Sequence, residues 1–202
     1  MQRAARAWLF LMFTGCASSP PSKPPVVPAS VTPALVEFLA EARKMGMVYE
    51  TPPGYVEIPV RDNTDQSYDY AVVSADKRTE MRFALRGNDR VPEPLHNRKM
   101  SFLFFMTGIS NLVRVGNDGR FAEPGTIPAA HYNADDAVLI AVHWFQIDKP
   151  GDAFGDGYQL CSAVFMYREG VGAAYSYFLF KDGDALADMN EETMHVMRFA
   201  PR

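Results

Sequence analysis

The sequence predicts an α+β fold in which a mostly antiparallel sheet is covered by helices. Apolar residues recur at helical spacing in two segments, which begin near Thr32 and Arg98. Polar and apolar residues alternate in short segments, most clearly over residues 78–86. Late in the chain, two long strand-like segments flank Gly170, which is typical of a hairpin. We therefore expect residues 33–202 to form a single α+β domain.

The first helix is predicted to begin at Thr32 and Pro33. Threonine is a good N-cap, and proline is favoured at the first helical position. Gly46 is placed to end the helix. The apolar face consists of Leu35, Phe38, Leu39 and Ala42.

Three strands are predicted next, over residues 55–60, 68–74 and 78–86, after a turn at Pro52-Pro53-Gly54. The third has the strictest alternation. Its apolar side chains are Met81, Phe83 and Leu85, and its charged side chains are Glu80, Arg82 and Arg86.

A long second helix is predicted over Arg98–Val115. Its apolar residues at helical spacing are Phe102, Phe105, Met106, Ile109, Leu112 and Val113. Leu103 and Phe104 extend the apolar surface to the flank. This pattern predicts a helix that is deeply covered.

The second half of the chain adds mostly strands. Residues 137–147 are apolar almost throughout, and periodicity leaves a buried strand and a buried helix open. Residues 158–167 and 173–180 are predicted to pair as a hairpin. A short helix over residues 185–192 and a last strand over residues 195–199 complete the prediction.

The N-terminus has the pattern of a bacterial export signal. Arg3 and Arg6 precede the apolar run 7–13, and residues 13–16 read Phe-Thr-Gly-Cys. This ending resembles the lipobox of bacterial lipoproteins. The resemblance implies that residues 1–15 are a signal peptide, that the chain is cut before Cys16, and that the Cys16 thiol carries the lipid. A plain signal peptide remains the alternative, whereas the run is too short for a membrane span, which needs about 20 apolar residues.

The segment after Cys16 is predicted to be a tether. Residues 17–32 are rich in proline, and at about 3.1 Å per residue they would extend on the order of 40–50 Å. In the lipoprotein family the residue after the cysteine influences sorting. Ala17 at that position implies the outer membrane if the host is Gram-negative. The expected location is therefore the cell envelope, with membrane contact through the lipid.

Composition restricts the classes of partner. The 202-residue chain is 48% hydrophobic and 22% charged, with a formal net charge of -4. Loss of Arg3 and Arg6 with the signal would leave 18 basic and 24 acidic side chains, a charge of -6. A mildly acidic surface argues against nucleic acid and anionic lipid headgroups as main partners. Cys161 lies in a strand-like segment, and we interpret it as a buried, inert thiol.

One group of residues is a candidate for metal-dependent hydrolysis. His131 and Asp135 are four residues apart and Asp136 follows, so the three side chains offer nitrogen and oxygen ligands. A zinc site needs three or four such ligands. His143 follows twelve residues after His131, on the apolar run. The alternative is that Asn133, Asp135 and Asp136 cap or turn the chain and that His143 packs beside Trp144.

Other patterns are weaker. Asp148, Asp152 and Asp156 form an acidic loop without the alternation of an EF-hand, which we interpret as a solvated approach to the hairpin. Methionines near residues 45–47 and 194–197 suggest copper ligands, but we interpret them as core packing. Nucleophile-elbow, Walker A and Rossmann glycine motifs are absent from the sequence. No cofactor is therefore predicted.

The charged row of the third strand is a candidate recognition face. Glu80, Arg82 and Arg86 alternate with apolar residues, which predicts that they share the solvent side of a sheet. Cross-strand ion pairing on that side is the alternative to partner recognition.

Several segments together resemble uncharacterised bacterial lipoproteins with a Mog1/PsbP-like α/β/α sandwich. They are residues 53–57, 68–72, 80–86, 132–135 and 177–180. The resemblance implies an accessory or partner-binding module of the envelope. We therefore expect a lipid-anchored protein that binds an envelope protein without catalysis. The alternatives are the hydrolase described above and a carrier of a small apolar ligand, which the aromatic content suggests.

Overall fold

A large antiparallel sheet with helices on both faces organises the protein. The architecture is that of a computed structural model, which describes residues 32–62, 66–115, 120–121, 124–143, 154–155 and 157–202. The predicted α+β class with a mostly antiparallel sheet is confirmed.

Within the described residues, the large sheet has eight strands. Seven follow the order β2-β3-β4-β9-β8-β7-β5, and β6 also pairs with β7. All of these pairs are antiparallel. The strands are β2 (Tyr55–Glu57), β3 (Tyr70–Ser74), β4 (Thr79–Gly87), β5 (Arg120–Phe121), β6 (Gly125–Thr126), β7 (Asp136–His143), β8 (Leu160–Arg168) and β9 (Gly172–Phe180).

The centre of this sheet is buried on both faces. Every residue of β9 is buried, because its side chains alternate between two apolar cores. Tyr177 enters the core beneath the long helix, and Phe178 enters the core on the opposite face. The sheet is therefore the middle layer of three.

One outer layer begins with helix α1 (Pro33–Lys44). The Leu35 amide donates to the Thr32 hydroxyl at 3.1 Å, which confirms the predicted N-cap. Phe38 stacks on Tyr70 of the sheet, with ring centroids 4.8 Å apart. Gly46 has a φ of +61°, so the chain leaves the helix through the left-handed conformation that glycine adopts easily.

A second, two-stranded sheet lies in the same layer. It pairs β1 (Met47–Tyr49) antiparallel with β10 (Met197–Phe199). Its buried side chains join the core that contains Phe38. Strand β1 is not predicted from the sequence, because three residues are too few to show an alternation and the partner strand lies about 150 residues away.

Helix α2 (Arg98–Val115) forms the other outer layer. The Met100 amide donates to the Asn97 side chain at 3.0 Å, which caps the helix. Phe105 and Ile109 are fully buried against the sheet. The prediction of a deeply covered helix is wrong for the flank, since Leu103 and Phe104 are each 48% exposed.

The apolar segment beginning near residue 137 is a strand. It pairs with β8 over the whole of β7, and residues 144–147 lie outside the described residues. The single short helix predicted over residues 185–192 is two helices, α3 (Gly183–Ala187) and α4 (Glu191–Met194). Two caps explain the division, because Asp182 and Asn190 each accept a backbone N–H of the helix that follows.

Candidate functional site

The predicted site residues His131, Asp135 and Asp136 make separate contacts. Asp135 accepts from Arg202 at 2.8 Å and from the backbone N–H of Glu169 at 2.8 Å. These donors hold the pKa of the Asp135 carboxyl below its usual value, the backbone hydrogen bond being the largest cause.

Asp136 accepts from Arg98 Nε at 2.6 Å, across the gap between β7 and α2. Both aspartates are therefore paired with arginines. His131 lies in a 3-10 helix, Ala129–Tyr132, before β7. Its side chain contacts neither of these arginine pairs and lies beside Glu191 and His195 instead.

His131 belongs to a cluster with Glu191 and His195. One ligand atom from each of the three side chains lies within 4.8 Å of the other two. His131 Nδ1 is 3.6 Å from Glu191 Oε1, and the two imidazole rings meet edge to face with centroids 5.1 Å apart. We call these three residues the histidine cluster.

Two elements position the histidine cluster. Glu191 and His195 are four residues apart at the two ends of α4, so they share one side of that turn. Tyr132 is buried, and its ring contacts the His195 ring edge to face, with ring centroids 4.8 Å apart. Burial is the main reason why the pKa of His195 is lowered, and the neighbouring His131 adds to it. The neutral imidazole is thus favoured.

Glu191 and His195 are not among the site residues predicted from the sequence. The Glu-x-x-x-His spacing was visible, but the predicted helix ended at residue 192 and the predicted strand began at His195. His131 lies 60 residues earlier, so its proximity depends on tertiary structure. A groove of about 570 Å³ adjoins the cluster and is lined in part by His195, Glu192 and Glu50.

The predicted recognition row is not exposed as expected. Glu80 and Arg82 are each 3% exposed, so this prediction is wrong for both. Arg82 donates to Glu80 at 2.5 Å, and its guanidinium lies over the Phe154 ring at 4.5 Å. Tyr158 also donates to Glu80 at 2.7 Å. Phe154 and Tyr158 cover this part of the sheet, which explains the burial.

Arg86 lies at the margin of that face. It donates to Asp69 at 3.0 Å and to the Ser67 carbonyl at 2.8 Å, and Arg90 also pairs with Asp69. These contacts hold the loop before β3 against β4. Of the three predicted recognition residues, Arg86 alone is only partly buried, and its charge is already paired.

An apolar surface on α2 is the most conspicuous exposed feature of the described residues. Met100 is 39% exposed, and Leu103 and Phe104 are 48% exposed. Their spacing places them on one side of the helix. We call Met100, Leu103 and Phe104 the α2 patch. Beside it runs a groove of about 330 Å³, lined in part by Leu85, Arg90, Val91, Pro92, Leu95 and Phe104.

The remaining candidates from the sequence are the two cysteines, the methionines, the acidic loop and His143. Burial raises the pKa of the Cys161 thiol to about 12, in agreement with an inert thiol. Met45, Met47 and Met197 are buried in the apolar core, as the packing interpretation expects. Cys16, the tether up to residue 31 and the acidic loop residues Asp148, Asp152 and Asp156 lie outside the described residues. Nothing is described of the side chain of His143.

Comparison with known proteins gives a structural similarity to a solved protein. No family model matches the sequence, and no curated protein matches it. Among solved structures, the chain is similar to cyanobacterial PsbP (CyanoP) from Synechocystis sp. PCC 6803, with a TM-score of 0.46 and 12% sequence identity. The alignment covers 78% of this chain and 88% of that one. Within the described residues, no helix is long and apolar enough to cross a membrane.

Proposed function

We propose that this chain is a lipid-anchored cell-envelope protein whose α+β domain binds a partner protein through the α2 patch, without catalysis. The observation that carries the proposal is the exposure of Leu103 and Phe104 on a helix whose opposite side packs firmly on the sheet. Large apolar side chains grouped on one surface mark interaction sites.

The chemistry of the patch favours a protein partner. Completing the burial of two half-exposed side chains of this size would contribute about 1 kcal/mol each, which suits a contact with another apolar surface. An aromatic residue beside a preformed groove is the usual anchor of such contacts. The net negative charge of the chain disfavours nucleic acid and anionic lipid.

The anchor part of the proposal rests on the sequence. Arg3, Arg6, the apolar run 7–13 and Cys16 supply the parts of a lipoprotein signal. The proline-rich tether would let the domain reach a partner some distance from the bilayer. A lipid anchor together with an exposed apolar helix face supports a domain that binds another envelope protein.

Site-specific photo-crosslinking in cells tests the partner. The full chain carries a photoreactive phenylalanine analogue at position 104, in the α2 patch. The matched control carries it at position 36, because Val36 is 53% exposed on α1, on the opposite side of the sheet. We expect one dominant adduct with a different envelope protein from position 104 and none from position 36.

A second variant makes this test specific. Leu103→Asp places a charge in the α2 patch at a solvent-exposed position, so the domain should still fold while the adduct is lost. An adduct that Leu103→Asp leaves intact would contradict the proposal. An adduct with a second copy of the chain or with lipid would also contradict the proposal. So would the absence of any protein adduct.

The anchor has its own experiment. Metabolic labelling with an alkyne fatty acid should mark the mature protein, and Cys16→Ala should abolish the label. Retention of the label in Cys16→Ala would refute lipidation at this residue. That result would leave the test of the α2 patch unaffected.

The hydrolase alternative has less support. The carboxylates of Asp135 and Asp136 accept from Arg202 and Arg98, so neither is free to act as a base beside His131. The apolar-carrier alternative predicts a ligand that co-purifies with the chain. Native mass spectrometry of the purified protein would detect it.

A further inference from the structure

We propose that His131, Glu191 and His195 bind one first-row divalent transition-metal ion, with zinc as the type ion. The histidine cluster supplies two imidazole nitrogens and one carboxylate oxygen. Two histidines and a glutamate are a donor set that zinc sites in proteins use, and imidazole ligands also suit copper and nickel. Calcium prefers oxygen ligands throughout and fits this set poorly.

The distances lie close to what coordination needs. The three ligand atoms are within 4.8 Å of one another, and His131 Nδ1 is 3.6 Å from Glu191 Oε1. Tetrahedral ligands at about 2.0–2.2 Å from a zinc ion stand roughly 3.3–3.6 Å apart. Rotation of the His131 and Glu191 side chains would bring the three ligand atoms to these separations. The two side chains are 46% and 74% exposed, which leaves them room to rotate.

The third ligand is the fixed one. His195 lies half-buried with its ring edge-on to the buried Tyr132, and it directly follows α4 and precedes β10. Because β10 is paired with β1, the position of His195 depends on the core. The cluster thus combines one held imidazole with two side chains that are free to adjust.

The placement of the ligands gives the ion a structural consequence. His131 lies just before β7, and Glu191 and His195 lie just before β10, so the ion would connect two segments about 60 residues apart. An ion that binds only the folded state raises the free energy of unfolding by mass action. The exposure of two ligands leaves the fourth coordination position to water or to a group from outside the cluster.

The histidine cluster is separate from the α2 patch. Tyr132 belongs to the core on the α1 side of the sheet, whereas α2 covers the other side. Loss of metal binding would therefore leave the proposed partner site intact, and the two proposals fail independently.

Titration of the purified full chain with Zn²⁺, without a polyhistidine tag and after treatment with a chelator, tests the site. Calorimetry and elemental analysis should give about one ion per chain, and saturation should raise the thermal midpoint. Each of His131→Ala, His195→Gln and Glu191→Gln should weaken binding by at least about tenfold and reduce the thermal shift. Glu191→Gln is the safest variant for folding because its side chain is exposed.

Two matched controls make the result specific. Glu192→Gln changes the neighbouring carboxylate of α4, and His96→Ala removes a histidine that contacts the Val91 carbonyl instead. Both should bind Zn²⁺ like the unchanged chain. NMR of labelled histidine rings should show Zn²⁺ shifting two of the four imidazoles. Absence of binding, or binding unaltered by all three cluster variants, would overturn the proposal.

Discussion

Arg82 Nε donates to Glu80 Oε1 at 2.5 Å, and both side chains are only 4% exposed. The two residues are neighbours on one face of β4, and this pair of opposite charges lies beneath the segment around Phe154. Burial of a charge is costly unless a partner and hydrogen bonds compensate for it. Here the partner is two residues away on the same strand, and Tyr158 adds a third polar group.

Removing one member of this pair should therefore destabilise the fold. Arg82→Met leaves the Glu80 carboxylate buried without its cation, and we expect a loss of about 3–5 kcal/mol in the free energy of unfolding. The double variant Glu80→Leu/Arg82→Met should recover much of that loss, because no unpaired charge remains. Urea denaturation of the three proteins checks this, and equal stability of Arg82→Met and the unchanged chain would contradict it.

The sequence predicts the repetitive parts of this fold well. The alternation over residues 78–86 predicts a strand, and β4 spans Thr79–Gly87. The prediction succeeds because the alternation and a turn at each end determine the element locally. Thr32 and Gly46 likewise mark the ends of α1, since capping depends on neighbouring residues.

What the sequence did not predict depends on contacts between distant residues. Charged residues at alternate positions indicate a solvated face, yet Glu80 and Arg82 are covered by Phe154 and Tyr158, which lie more than 70 residues later in the chain. The histidine cluster likewise needs the approach of His131 and His195 through tertiary structure. The exposure of Phe104 was not predicted, because a helical pattern does not reveal how many layers cover the helix.

The β8–β9 hairpin gives a prediction about glycine. Gly172 has a φ of +129°, and a Cβ there would meet the Arg86 carbonyl oxygen at 2.4 Å. Gly170 has a φ of +75° with open space around it. Gly170→Ala should cost about 1 kcal/mol, from backbone strain alone. Gly172→Ala should cost more than about 3 kcal/mol, because β4 and β9 would have to separate. Thermal and urea denaturation measure both, and equal costs would contradict the prediction.

Two buried tyrosines should respond differently to loss of the hydroxyl. Tyr132 Oη has no hydrogen-bond partner among the described residues, whereas Tyr167 Oη donates to the His96 carbonyl at 2.8 Å. Tyr132→Phe should be neutral or slightly stabilising, because a buried polar group without a partner is removed. Tyr167→Phe should cost about 1 kcal/mol. Comparison of unfolding midpoints distinguishes them, and a larger loss in Tyr132→Phe would be the contrary result.

Cys161 should resist alkylation in the folded protein. Its thiol is buried, and burial raises its pKa to about 12, so little of the reactive thiolate exists near neutral pH. Iodoacetamide at about pH 8 should leave Cys161 unmodified in the native chain and modify it fully in denaturant. Mass spectrometry of the peptide containing residue 161 reads the result. Rapid labelling of the native chain would show that this strand opens easily.

Asp135 should contribute to the loss of stability in acid. Its pKa lies below the usual 3.8, because the Glu169 amide and Arg202 favour the carboxylate. A lowered pKa in the folded state means that the contribution is complete above the unfolded value and is lost as the pH falls through the folded one. Asp135→Asn can still accept from the Glu169 amide but cannot titrate. From about pH 6 to about pH 3, we expect the unchanged chain to lose more free energy of unfolding than Asp135→Asn. Urea denaturation at both pH values measures the difference, and identical losses would show that folding does not lower the pKa of Asp135.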